Sequence, residues 1–302
     1  IGARDLMELQ EDPKFNANYH SRYLANFGYT YLALNMRPQL TGRKPFFTDR
    51  RVRKAMALLA PVDDIIRVNY RNKVMRIAGP VSPMKYGCNR DLALITVDIP
   101  AAKALLDSAG WIDTDGDNVR DKLVDGERVP FVFELNYLNV SEGWRTIAEM
   151  MADGFYQAGV KAELKPVDPK LHWERATDHD FDMLLSAWAQ GSSPDDHRQI
   201  WHTASWNGGS NYTGFGTPAT DALIDSISAT LDPARRASLN QRFQRIVYEE
   251  HPYIFICASS RKIVVHKRFR NANMYYEKPN LVLNNFLLAA PAAGQSQSSL
   301  AE

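Results

Sequence analysis

Four aspartates crowd into one short stretch, Asp113, Asp115, Asp117 and Asp121 of IDTDGDNVRD, and alternate carboxylates in a tight turn can aim several hard oxygens at one calcium ion. The stretch departs from an EF-hand loop. Asn118 stands at the sixth position, where a glycine makes the sharp bend, and Val124 stands at the twelfth, where a glutamate closes the site. Asx turns in a polar connection use the same residues without a metal, so the expected reading is a turn with no metal bound. No nucleophile elbow, zinc-binding HExxH, phosphate-cradling glycine loop or dinucleotide fingerprint occurs. Seven histidines are scattered, and the pair His197 and His202 has an i, i+5 spacing that shares no helix face. They read as surface or capping residues. No catalytic residue and no cofactor is expected.

The stretch from Trp173 to Tyr212 is richer, holding Trp173, Trp188, Trp201, Trp206 and Tyr212 among glycines, serines and asparagines. Flat apolar walls with a few amides and hydroxyls are what a concave small-molecule site uses for shape and orientation. Trp173 and Trp201 read as core, whereas Trp188, where a strand passes into the polar loop AQGSSPDD, is a candidate for ligand contact.

The elements that must position these residues follow from periodicity and caps. Residues 29–36 (YTYLALNM) read as a strand ending at Asn35 and Arg37-Pro38. Val52, Ala55, Met56 and Leu59 place one apolar stripe on a helix that starts at Asp49 and stops at Pro61. Asp63 or Asp64 is expected to cap a short helix after it. Asp98 and Pro100 open another helix, with Gly110 at its end and Trp111 covering it. A strand over 129–138, a helix over 141–158, the strand VKAELKPV, the helix LHWERAT and the strand FDMLLSAW give β-α-β-α-β, the order of an α/β lobe whose sheet is covered by helices. Two amphipathic helices, 217–230 and 233–249, precede an apolar strand region, PYIFICASSRKIVV.

Composition bounds the rest. The 302 residues are 45% hydrophobic, enough for a substantial core, and 36 basic against 35 acidic side chains leave a charge of +1 that favours neither nucleic acid nor anionic lipid. The basic cluster Arg50, Arg51, Arg53 and Lys54 reads as the solvated face of its helix. Cys88 and Cys257 form no CxxC or zinc spacing, and their pairing stays open. No apolar run is long enough to span a bilayer. The chain opens on Ile1 without a basic, then apolar, leader, which suggests a processed chain or an excised piece. The small polar residues 289–302 are expected to be disordered.

Seven stretches in order carry a resemblance: YLALN ending at Asn35, FTDRRVRKAMALL (47–59), AKALLDSAGWIDTDGDNVRD (102–121), IAEMMADGFYQAGVKAEL (147–164), FDMLLSAW (181–188), NYTGFGTPATDALI (211–224) and RFQRIVYEEHPYIFI (242–256). Together they resemble the extracellular solute-binding proteins of family 5, the peptide, nickel and oligosaccharide class that serves ABC importers. The resemblance implies an α/β fold, a periplasmic-binding-protein type II-like lobe with a mixed sheet covered by helices, similar to the C-terminal lobe of dipeptide-binding proteins. Complete members look like two lobes that close on a ligand by hinge motion. Residues 34–257 would then form the second lobe, 1–33 and 258–288 would be segments of the first, and the crossing strands would lie near Tyr31 to Asn35 and Ile254 to Ala258. A chain without most of the first lobe is expected to bind weakly or not at all.

Peptide-binding members of the family commonly carry an aspartate soon after the tryptophan that Trp188 matches. Here Ala189, Gln190, Gly191, Ser192, Ser193 and Pro194 follow, with only Asp195 or Asp196 able to reach back. The arginine that pairs with a dipeptide carboxylate is unmatched at the strand end Asn136, Tyr137, Leu138, Asn139. Unpaired charges in a desolvated cleft disfavour a free-ended dipeptide, leaving longer peptides held through their backbone, or a neutral oligosaccharide stacked on tryptophan. The expected ligand contacts are Asn35, Asn136, Tyr137, Trp188, Gln190, Ser192 and Trp206. The expected role is capture without chemistry, by a monomer at the periplasmic or outer face of a bacterial membrane, with the permease subunits of an ABC transporter as partner and contact with the membrane only through them or an N-terminal anchor outside this chain. Rival readings are a hydrolase on the same scaffold and a module that recognises proteins through an exposed apolar patch.

Overall fold

The structure, a computed structural model, describes residues 3–289, so the tail expected to be disordered lies, apart from Ala289, outside the described residues. Two compact units divide the chain, one built from residues up to Asn26 and from Ser260 onward, the other from Phe27–Ser259. The first unit opens with α1 (Ala3–Leu9) and α2 (Pro13–Asn18), the latter capped by Asp12, which accepts from the Lys14 N–H. Strand β1 (Tyr19–Leu34) then runs from this unit into the second. It begins at Tyr19 rather than at Tyr29: apart from Leu24, residues 19–26 are exposed or half-buried and carry no apolar alternation to read, and only the later half is buried on both faces.

The second unit continues with α3 (Arg50–Leu59), α4 (Val62–Tyr70), β2 (Met75–Arg76), α5 (Ile99–Ser108), β3 (Asp121–Val124) and β4 (Glu127–Pro130). After these come β5 (Val132–Leu138), α6 (Glu142–Tyr156), β6 (Lys161–Val167), α7 (Pro169–Thr177) and β7 (Met183–Trp188). Then follow α8 (Arg198–Trp201), α9 (Pro218–Ala229), α10 (Pro233–Glu250) and β8 (Tyr253–His266), the last running back into the first unit. There β9 (Phe269–Arg270) pairs with β10 (Leu287–Leu288), and Leu24, Ile263 and Val265 form a small core.

Local chemistry explains the boundaries. Asp98, Asp168, Thr217 and Asp232 each cap a helix through a side-chain oxygen, and each is followed within two residues by proline, whose missing N–H is harmless in the first turn. Asp63 and Asp64 do not cap α4. They sit in its first turn, after Pro61, where their charge favours the positive helix end. The strand expected over 129–138 is two strands. Asp125 and Gly126 both take positive φ, closing the β3–β4 hairpin before β5 begins.

A six-stranded mixed sheet runs in the order β2-β8-β1-β7-β5-β6, with β5 parallel to β6 and β7, and β1 antiparallel to β7. Leu32 and Leu34 of β1 face a core shared with α3, α4, α5 and α6, while Tyr29, Tyr31 and Ala33 face a second core with α9 and α10. Helices therefore cover both faces, and each large apolar side chain sealed there contributes roughly 1.5–3 kcal/mol. Arg53, expected on a solvated face, is buried at 2% exposure. Its guanidinium donates to the carbonyls of Phe47, Thr48 and Glu250 and to the Glu250 carboxylate. Burial lowers its pKa to about 10, yet four acceptors keep it charged.

Candidate ligand-binding site

Strand β7 ends at Trp188, opposite Tyr29 of β1. Pairing with β5 stops earlier, at Leu185 opposite Tyr137, so beyond that point no described strand pairs with residues 186–188 on the β5 side. An open strand edge carries backbone donors and acceptors at fixed spacing, ready to pair with an added strand.

Beside this edge lies a ladder of rings. Tyr253 stacks on Tyr31 at 4.1 Å, Tyr31 on Trp188 at 6.1 Å and Trp188 on Tyr212 at 5.8 Å, with interplanar angles of 15°, 11° and 18°. Trp173, from α7, closes the ladder 6.4 Å from Trp188 and 6.3 Å from Tyr212. Trp188 is half-buried, and Trp173 remains 38% exposed rather than joining the core, because its neighbour His172 takes the inward position on α7. Trp201, by contrast, is core at 1% exposure. Desolvation pushes the Tyr29, Tyr31 and Tyr253 phenols above their usual pKa, so all three stay neutral. Burial lowers the His172 pKa to about 4, and its Nε2 lies 3.2 Å from the Ser186 hydroxyl.

The loop after Trp188 is pinned from below. Lys85, with its side chain 8% exposed, donates to the Ser193 carbonyl at 2.9 Å and forms an ion pair with Asp195, itself 7% exposed. Its ammonium lies 5.7 Å from the centre of the Phe27 ring. Gln190, on the same loop, is half-buried, and its Oε1 is buried with no hydrogen-bond partner among the described residues. Ser192 is exposed. Neither aspartate reaches back toward Trp188: Asp195 is held by Lys85, and Asp196 accepts from the Arg198 N–H.

The other expected contacts are occupied within the chain. Asn35 is 1% exposed; its amide donates to the carbonyls of His179 and Phe181 and its oxygen accepts from the Arg37 N–H, leaving nothing to offer a ligand. Asn136 is fully buried, with its oxygen accepting from Arg175 and its Nδ2 unpartnered among the described residues. Tyr137 points to the opposite face of β5, into the core with α6. The Trp206 ring is stacked at 3.4 Å on His179, with the Arg37 guanidinium 6.0 Å from its centre. Gly214, at φ +71°, leaves the room for that ring, since a Cβ there would stand 2.4 Å from it. His197 and His202 are buried, not superficial: His197 hydrogen bonds to Asn240 at 2.6 Å, and His202 caps a short turn by accepting from the Ala204 N–H.

Of the four aspartates, Asp113, Asp115 and Asp117 bring carboxylate oxygens within 4.8 Å of one another on the surface. Asp121 is drawn away by Arg128 at 2.8 Å and by Thr114, while Asp113 accepts from the Gly116 and Asn118 N–H groups. The turn is held by its own hydrogen bonds.

The model of the bacterial extracellular solute-binding proteins, family 5 Middle, matches residues 1–211. The chain belongs to this family. The oligopeptide-binding protein AppA of Bacillus subtilis is 24% identical over 239 residues, 76% of this chain and 41% of the relative. The dipeptide-binding protein of Escherichia coli is 24% identical over 262 residues, 85% of this chain and 44% of that protein. This family 5 chain thus spans about two-fifths of the length of these relatives. Its fold superposes on AppA of Bacillus subtilis in complex with a nonapeptide, with a TM-score of 0.81 at 21% identity, covering 94% of this chain and 55% of that one. NikA of Brucella suis in complex with Fe(III)-EDTA gives 0.78 at 20% identity, over 96% and 56%. The mixed α/β architecture is that of family 5.

Proposed function

We propose that this chain carries a ligand-binding wall of the substrate-binding component of an ABC importer, which takes a peptide by its main chain, holds it unchanged and delivers it to a membrane permease at the periplasmic or outer face of a bacterial cell. The observation that carries the reading is the unpaired and partly exposed edge of β7 at Ala187 and Trp188, set beside the half-exposed rings of Trp173 and Trp188. A peptide backbone supplies the complementary donors and acceptors at the spacing of a strand, and the rings offer flat area to its side chains. Trp188, Gln190 and Ser192 are the contacts we assign to this wall. The AppA relative with a nonapeptide bound is consistent with a long peptide.

Recognition of a free amino end would need an unpaired carboxylate near Trp188; Asp195 is ion-paired with Lys85, and Asp196, though exposed, is turned to the Arg198 N–H. Peptides beyond dipeptide length, recognised without regard to their ends at this loop, therefore fit best. Binding without chemistry fits the burial of the serine–histidine side-chain hydrogen bond between Ser186 and His172: Ser186 is 2% and His172 0% exposed, so no substrate carbonyl reaches the hydroxyl.

The test is calorimetry of the full-length protein, as a monomer, against peptides of increasing length and against oligosaccharides, followed by mass spectrometry of the recovered ligand. Peptides that bind and return intact are the expected result. Cleaved peptide, or affinity for sugars alone, would overturn the reading.

A further inference from the structure

The loop that carries Ser192 also walls a cavity of about 240 Å³, bounded opposite by the segment around Met84 and Lys85 and by the first turns of α10. Its apolar sides come from Phe27 and Met84. Three charged side chains line it. Lys85 and Asp195 neutralise each other, which leaves the guanidinium of Arg236 as an uncompensated positive charge. Arg236 is half-buried; its backbone N–H donates to the Asp232 carbonyl within the helix, while its guanidinium makes no hydrogen bond or ion pair with any described residue. A partly desolvated cation over an apolar wall is an unusual arrangement to leave without an anion.

A second donor faces the same space. Asn240, 7% exposed, spends its oxygen on the His197 Nε2–H at 2.6 Å, and no described residue accepts from its amide nitrogen. The strongest acceptor in the wall, the Asp195 carboxylate, is already held by Lys85. Unspent donors, a surplus positive charge and no free strong acceptor select an anionic acceptor with two oxygens, as a carboxylate presents to a guanidinium fork.

We propose that this cavity is a subsite for one carboxylate of the bound peptide, with Arg236 as its principal contact and Asn240 as a second donor. The assignment rests on the peptide reading above and deepens it: peptides with a correctly placed acidic side chain, or with their terminal carboxylate in that place, are favoured. The Arg236 guanidinium holds no polar partner among the described residues, so its replacement reads out recognition rather than folding.

The experiment uses full-length protein and calorimetry with peptides of otherwise neutral sequence. Glu and Gln are exchanged at each position in turn, and the C-terminus is either free or amidated. The wild type is expected to favour one carboxylate by roughly tenfold or more, and Arg236→Gln to reduce that preference below about threefold. Arg236→Glu should prefer Lys at the same position. Loss of the preference on Glu to Gln exchange identifies a side chain as its source; loss on amidation identifies the terminus. A carboxylate preference that Arg236→Gln leaves intact, or no preference in the wild type, overturns the subsite while the peptide reading stands. A wild type that binds no peptide overturns both.

Discussion

The indole nitrogen of Trp188 donates to the hydroxyl of Tyr253 across 3.3 Å, tying the last residue of β7 to the first of β8 although 65 positions separate them. The bond fixes the angle at which Trp188 meets Tyr31 and Tyr212, and so the orientation of the half-exposed ring. Removing the hydroxyl frees the indole nitrogen without opening a cavity. For Tyr253→Phe we expect peptide affinity to fall about three- to tenfold, the worth of one net hydrogen bond, with the loss chiefly in the dissociation rate. Stopped-flow tryptophan fluorescence measures both rates; an unchanged dissociation rate would show that the orientation of Trp188 does not matter to the ligand.

Lys85 and Asp195 are both nearly buried, and an ion pair in that position is costly to break by halves. Lys85→Met leaves a carboxylate without its cation, and should lower unfolding free energy by about 3–5 kcal/mol in urea titrations. Changing both residues, Lys85→Met with Asp195→Leu, should recover most of that loss, because similar apolar volume then fills the site. The double variant still lacks the donor to the Ser193 carbonyl, so peptide binding should stay weakened after stability returns. Recovery of both would make the pair a matter of stability alone.

The α/β lobe was legible because its signals are local. Asp98 and Pro100 mark a helix start within one turn, and the alternation in VKAELKPV and the short apolar run in FDMLLSAW mark strands whatever surrounds them. Trp188 was legible for the same reason, as the residue where an apolar strand gives way to a polar loop. The partners of the site were not. Lys85 and Asp195 are 110 positions apart, and nothing at either position announces the other. Tyr137 turns into the core through strand parity. A strand end offers alternate faces, and only the packing of α6 decides that odd positions of β5 turn inward. Asn35 and Trp206 have partners within the chain that the sequence does not announce, since polar and aromatic groups near a site serve the rest of the chain as readily as a ligand.

His251 sets a pH dependence on the fold. It ends α10 in the left-handed conformation at φ 49°, and burial, with help from Arg53, Lys54 and Arg50, lowers its pKa from 6.5 to about 4. Asp98 and Glu249 line the cavity beside it, together with Arg50 and Lys54. The unfolded chain takes up a proton near pH 6.5 while the folded chain refuses it until about 4. Stability is therefore full above pH 6.5 and falls as pH drops through that window, by up to about 3 kcal/mol for this group. Asparagine tolerates the left-handed conformation and does not titrate, so His251→Asn should flatten the slope of unfolding free energy between pH 6.5 and 4. Parallel slopes for the two proteins would assign the acid sensitivity elsewhere, with His172 the next group to test.

Gly154 lies inside α6, where alanine would ordinarily favour the helix by about 1 kcal/mol. Here a Cβ would stand 2.5 Å from the Leu59 carbonyl oxygen and 2.9 Å from Pro61 Cδ. Both atoms belong to the tight link between α3 and α4, and neither can swing aside as the tip of a flexible side chain could. The helix would have to retreat from the link, prising α6 from the core that also packs the back of β5. Gly154→Ala should therefore destabilise the chain by about 1–3 kcal/mol despite its better helix propensity. Thermal melts decide the sign: a raised melting temperature would mean that α6 and the α3–α4 link do not approach as closely as this packing requires, and the path from the helix to β5 and the edge of β7 would lose its rigid support.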